Sequence, residues 1–279
     1  MRRFPRTTPT PREIFAGLFF LILAACHRQP PAPTPAPTQA PPAAREIPSP
    51  PSAAITSGSR LVAAMHDRYV DKWYRTLTFV QTTTLTRGGG PIVQTWYEAA
   101  DLPGRLRIDT NLGTRSGALY ARDSVYSFAD GKLVHADTGY NELLILGFDV
   151  YTQSAARSDA VLRHLGFDLS KIHESTWRGE PVYIVGAMRG DTTSKQFWVD
   201  RDRLLFVRLL EKTPRGLADF RFNKYEHAGG GWIAAQVEQF VNGSRVLLEE
   251  YRDIKPNVAL PMGFFDPKDW ASSSHWASR

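Results

Sequence analysis

Alternation of apolar and polar residues begins at Thr76 and governs most of the chain that follows. Leu77, Phe79, Gln81, Thr83 and Leu85 share one parity, Thr78, Val80, Thr82 and Thr84 the other, and the β-branched load marks a strand. Arg87-Gly88-Gly89-Gly90-Pro91 reads as a loop and 92–100 as the returning partner. Leu102-Pro103-Gly104 turns into 105–110, where Leu106 and Ile108 alternate with Arg105, Arg107 and Asp109. Further strands are expected at 118–122 and 124–129, with Asp130-Gly131 as a hairpin signal. After an interruption, strands recur near 174–177, 182–188, 195–199, 204–211, 218–226, 232–241 and 245–253. Short turn sequences such as Asp200-Arg201-Asp202, Gly229-Gly230-Gly231 and Asn242-Gly243 separate them, as in an antiparallel meander that curls into a barrel or half-barrel.

Two stretches follow a helical period instead. Leu61, Met65, Tyr69 and Trp73 recur at i+4 behind a candidate cap at Ser59, so a helix with one apolar, core-packing face precedes the first strand. Residues 141–172 break the meander with an apolar run, 143–148, and a short helix, 159–165, capped by Ser158 and closed by Gly166. An insertion of this length inside a β domain reads as a lid or plug. Residues 261–267 form an irregular tail with Phe264 and Phe265.

The first 57 residues have no such pattern. Arg2, Arg3, Arg6 and Arg12 precede an apolar run, 14–25, of signal-peptide length and too short to span a bilayer, which needs about 20 residues. Leu23-Ala24-Ala25-Cys26 closes it with the sequence's single cysteine and resembles the lipobox of bacterial lipoproteins, in which the cysteine is acylated and becomes the new N-terminus. Residues 29–52 are Pro, Ala, Thr and Ser with hardly a bulky apolar side chain, which makes a polyproline-type tether reaching roughly 80 to 90 Å at about 3.1 Å per residue. The expected organisation is a signal peptide at 1–25, a tether at 26–57 and one domain at 58–279.

Of the formal charge of +6, the four arginines against Glu13 account for +3, so the mature chain carries about +3. That excess is too small to argue for nucleic-acid binding. With Cys26 acylated no disulfide can form, and the core alone must hold the fold.

Catalytic and metal-binding patterns are missing from the sequence. It has no G-x-S-x-G elbow, no H-E-x-x-H and no Gly-rich loop in a βαβ unit. His66, His135, His164, His173 and His227 do not stand at metal-ligand spacing, and Asp200 and Asp202 suit a hairpin turn. No enzyme, metal or cofactor is therefore expected. What stands out is an aromatic load on one sheet, including Phe79, Trp96, Phe128, Phe197, Phe206 and Phe222. A curved sheet with such an interior is either filled by helices or left with a cavity for an apolar ligand, and pattern alone leaves both open.

Several short motifs, in order, resemble the outer-membrane lipoprotein carrier and sorting proteins of the Lol type. They are Leu77-Thr78-Phe79-Val80-Gln81 after the opening helix, Leu102-Pro103-Gly104-Arg105-Leu106-Arg107, Asp130-Gly131-Lys132, Phe197-Trp198-Val199-Asp200 with the strand after it, and Phe265-Asp266-Pro267. The resemblance implies a mostly β fold, a half-open antiparallel barrel with an N-terminal helix and a helical lid over a cavity for acyl chains. It implies Phe79, Trp96, Leu106, Ile108, Phe128, Phe197, Phe206 and Phe222 as cavity residues, and Arg105 or Arg107 as the arginine that latches the lid backbone. Parity sets both arginines opposite Leu106 and Ile108, so solvation is the other reading. Leu143-Leu144-Ile145-Leu146 is the candidate for a receptor-type membrane-inserting loop, with buried strand or lid as the alternative. The reading is a monomeric, Cys26-anchored envelope protein, facing the periplasm at the outer membrane, that binds acyl chains of lipids or lipoproteins. The alternative is a sensor or structural lipoprotein that uses the same fold to bind a protein partner.

Overall fold

The computed structural model describes residues 54–87 and 90–278; the expected signal peptide, Cys26 and nearly all of the expected tether lie outside the described residues. Helix α1, Gly58–Tyr69, is capped by Ser57, whose hydroxyl accepts the Arg60 N–H at 3.2 Å, so the cap stands two residues before the expected Ser59. Its Leu61, Val62, Met65 and Tyr69 are buried, as the i+4 spacing requires.

Among the described residues thirteen strands then form one antiparallel, curved, open sheet. The first six are β1 Thr76–Arg87, β2 Gly90–Asp101, β3 Arg105–Asn111, β4 Ser116–Ala121, β5 Ser124–Ala129 and β6 Lys132–Thr138. The other seven are β7 Ile172–Trp177, β8 Glu180–Val185, β9 Gln196–Asp200, β10 Phe206–Thr213, β11 Gly216–Ala228, β12 Gly231–Val241 and β13 Ser244–Pro256. Neighbours in the sheet are neighbours in sequence except at the centre, where β1 pairs with β13; β6 and β7 are the two edges.

That order fixes what residues 139–171 must do. They leave one edge of the sheet and reach the opposite edge, so they cross the concavity. They carry α2, Glu142–Gly147, a 3₁₀ turn at Asp149–Tyr151, and α3, Ala155–His164. Asn141 caps α2 by accepting the Leu143 and Leu144 N–H groups, and Ser154 caps α3, leaving the expected cap Ser158 buried inside that helix. Leu144, Ile145 and Leu146 are buried, so this apolar run is a packed lid and not a membrane-inserting loop.

The main core lies between the concave face and the helices. Trp73 stacks on Tyr151 at 4.0 Å, and Phe206 N–H donates to the Tyr151 hydroxyl at 2.9 Å, which pins the insertion to β10. A second core lies on the convex face, where the C-terminal segment covers Ala99, Leu119, Ala121 and Phe128 with Phe264, Phe265 and Trp270. Trp270 stacks on Phe128 at 4.2 Å and 2°. Gly117 is required beneath it, because a Cβ there would run into the Ile108 carbonyl oxygen and the Trp270 ring.

Candidate functional site: a lidded cavity on the concave face

Helices fill the β7–β10 side of the concavity, and a cavity of ≈ 540 Å³ remains toward β1–β3 and β11–β13. Strand parity builds its wall. Phe79 on β1, Trp96 on β2, Leu106 and Ile108 on β3, Phe222 on β11 and Val237 on β12 all point inward, and Leu143, Leu144 and Phe148 close it from the lid side. Phe79 stacks on Tyr251 at 4.3 Å, and Trp96 Nε1–H donates to Gln94 Oε1 at 2.9 Å, so both rings are held in place.

Five of the eight aromatic and aliphatic residues expected at the cavity, Phe79, Trp96, Leu106, Ile108 and Phe222, line it. The other three stand elsewhere. Phe128 faces the convex side under Trp270. Phe197 and Phe206 point to the concave side but are fully covered, Phe197 edge-on to Phe167 at 5.3 Å and Phe206 edge-on to Phe222 at 4.8 Å. They support the floor of the filled half and touch no open space.

Neither expected latch arginine reaches the lid. Arg105 pairs with Asp101 at 2.5 Å on the surface. Arg107 is buried on the convex face, fixed to Asp109 through Nε (2.9 Å) and Nη2 (3.0 Å) and sandwiched between Phe264 at 4.3 Å and Trp270 at 3.9 Å. It is neither a latch nor solvated. It ties down the C-terminal cover by donating to the carbonyls of Phe264 and Trp270.

The lid is latched by other residues. Lys195, just before β9, bonds Glu142 of α2 and lies 3.3 Å from Glu211 of β10. Burial, with Glu211 beside it, raises the Glu142 carboxyl above its ordinary range against the pull of Lys195. Asp149, fully buried after α2, accepts the backbone N–H of Gly104 in the β2–β3 turn at 2.9 Å, and its other oxygen has no partner among the described residues. Desolvation pushes its pKa up to about 7.

Two more carboxyls sit in the cavity itself. Glu98 on β2 is 6 % exposed, and no donor among the described residues reaches it. Glu249 on β13 accepts the Tyr251 hydroxyl at 3.1 Å. Burial first, and then Glu249 and Asp109, push Glu98 well above the carboxylate range, while burial raises Glu249 to about 7. Sequence reasoning missed both. The available signal was parity: Glu98 shares a face with Trp96, and Glu249 lies between Leu247 and Tyr251 on theirs. Among the described residues no group of His, Cys, Asp or Glu is arranged to hold a metal ion.

No protein-family model matches the sequence, and no curated protein matches it. Solved structures do match its fold. A putative outer membrane lipoprotein-sorting protein domain from Vibrio parahaemolyticus aligns with a TM-score of 0.53 over 77% of this chain and 98% of that chain, at 10% identity. A DUF1329 family protein from Desulfovibrio piger aligns at a TM-score of 0.48 and 17% identity, over 75% of this chain and 95% of that one. A LolA superfamily protein from Nitrosomonas europaea aligns at a TM-score of 0.47 and 13% identity, over 76% and 98%. At these identities the likeness is one of fold alone, that of a curved, open antiparallel sheet with an N-terminal helix in this chain.

Proposed function

We propose that this protein is a membrane-anchored envelope component that holds acyl chains of a lipid or a lipoprotein in its concave cavity and takes part in their traffic at the outer membrane, facing the periplasm. The observation that carries the reading is the cavity of ≈ 540 Å³, walled by Phe79, Trp96, Leu106, Ile108 and Phe222 and roofed by Leu143, Leu144 and Phe148. Its volume falls in the range of about 300–1,000 Å³ typical of ligand pockets. A hydrocarbon chain needs only such walls: each buried CH₂ contributes about 0.8 kcal/mol, so some ten methylenes supply about 8 kcal/mol. The roof over the cavity is α2, a six-residue helix tied to the sheet by the Glu142–Lys195 and Asp149–Gly104 contacts, an arrangement that can open and reclose while Tyr151 stays pinned to β10.

Lipid attachment at Cys26 and the tether at 26–57 complete the proposal. The domain then works within reach of its own membrane, receiving or holding cargo there and not diffusing across the periplasm. The likeness to a lipoprotein-sorting domain supports this placement. The test is uptake of an environment-sensitive fluorescent fatty-acyl probe by the full chain carrying Cys26→Ser. Saturable, one-to-one uptake that an unlabelled long-chain alcohol reverses is expected. Absence of uptake, with no lipid recovered by mass spectrometry from protein isolated from envelopes, would overturn the reading in favour of a protein-binding role.

A further inference from the structure

We propose that the cavity selects amphiphiles that carry an ammonium group beside their hydrocarbon, over neutral or carboxylate ones. This deepens the acyl-chain reading and rests on it. Among the described residues the lining includes the carboxyls of Glu98, Asp130, Glu142, Glu211 and Glu249 and no lysine, arginine or histidine. Lys195, outside the lining, contacts Glu142 and Glu211, and those two belong to the lid latch. Asp130 is an exposed turn residue. Glu98 and Glu249 remain, on strands that flank β1 on either side, without a cation.

Their surroundings offer neutral donors, the Tyr120 and Tyr251 hydroxyls and the Gln81 amide, and, among the described residues, no positive charge. Glu98 has no donor among the described residues, though it is more than nine-tenths buried and faces the cavity. Glu249 has the Tyr251 hydroxyl at 3.1 Å and the Gln81 amide beside it. Gln81, fully buried on β1 between the strands of Trp96 and Tyr251, gives one amide N–H to Thr83 Oγ1 at 2.7 Å, and its carbonyl oxygen Oε1 has no partner among the described residues. Unpaired buried acceptors are costly, and a ligand that brings N–H donors and a positive charge relieves that cost. Burial raises both carboxyls, and Glu98 is raised further by the nearby charges of Glu249 and Asp109; an ammonium between Glu98 and Glu249 favours their charged forms and binds by charge-assisted hydrogen bonds. A carboxylate head group meets the opposite field. The apolar walls take the hydrocarbon, and Glu98 and Glu249 read the head group.

Calorimetric titration of the full chain carrying Cys26→Ser with dodecylamine, dodecanol and dodecanoate at about pH 8 tests this. Dodecylamine is expected to bind about ten-fold or more tightly than either of the others, the scale of one charge-assisted hydrogen bond. In Glu98→Gln/Glu249→Gln, with folding checked by circular dichroism, the ratio of amine to alcohol affinity is expected to fall to about two or less. Equal or tighter binding of dodecanol or dodecanoate, or a ratio that the double variant leaves intact, would overturn the inference while sparing the acyl-chain reading. If none of the three binds, both fail.

Discussion

The Asp149 carboxylate accepts the backbone N–H of Gly104 at 2.9 Å, joining the lid to the β2–β3 turn. The Lol-type resemblance implies an arginine of that hairpin donating to lid backbone. Here the hairpin still donates and the lid still accepts, but the side chain comes from the lid and the backbone group from the hairpin. The neighbouring arginines are thereby released to other duties, Arg105 on Asp101 and Arg107 under the C-terminal cover.

Because burial raises Asp149 from 3.8 to about 7, its contribution to stability has a definite sign with pH. Below about pH 4 it is protonated in both folded and unfolded chains, and its contribution is fully present. As pH rises toward 7 the unfolded chain ionises while the folded one resists, so stability is lost through that window and levels off above it. At about 1.4 kcal/mol per unit the loss is at most about 4 kcal/mol. Urea melts across this range are expected to show a shallower decline for Asp149→Asn than for the wild type. An identical slope in both would show that Asp149 ionises normally.

Lys195 holds Glu142 of the lid and Glu211 of the sheet together. Lys195→Met leaves two half-buried carboxyls facing each other and is expected to weaken lid closure by about 1–3 kcal/mol. Hydrogen exchange reads this directly: amides of 142–151 should exchange faster, with β11–β13 unchanged. Adding Glu142→Gln removes the repulsion and should restore part of the protection.

The convex-face core is expected to govern stability and not binding. Trp270→Ala removes the ring stacked on Phe128 and one side of the Arg107 sandwich and should cost about 3–5 kcal/mol. Arg107→Ala leaves Asp109 buried without its guanidinium partner, with a similar cost. Denaturant melts should show both losses, while the affinity of the folded protein for an acyl probe stays within about two-fold of the wild type.

Much of this fold was legible because the chain spells it locally. Asp130-Gly131, Asn242-Gly243 and Gly229-Gly230 mark turns between alternating runs, and the helical period of Leu61, Met65 and Tyr69 puts α1 on the core. What was not legible is which side of each strand faces the cavity. Along β3, Leu106, Arg107, Ile108 and Asp109 are all buried, because helices and lid cover one face and the C-terminal segment the other. A two-sided strand carries no hydrophobic alternation, so Phe128 looked equivalent to Phe79. Glu98, Glu249 and Asp149 were passed over for a related reason: an acidic residue in a sequence is read as solvated, and only the assembled sheet shows that these are enclosed.

Anchoring makes its own prediction. Cys26→Ser is expected to move the protein from the membrane fraction to the soluble fraction and to abolish palmitate incorporation. Continued membrane association of the variant, or palmitate on the serine form, would remove the lipobox reading and bring back a soluble carrier.

The central claim, that hydrocarbon enters the concave cavity, is tested most directly by photo-crosslinking. An acyl chain bearing a diazirine near its end, irradiated with the full chain carrying Cys26→Ser, is mapped by peptide mass spectrometry. Cross-links are expected on the peptides holding Phe79, Trp96, Leu106, Leu144 and Phe222, the walls and roof of the cavity. Cross-links confined to the convex face around Phe264 and Trp270, or none above background, would contradict the account.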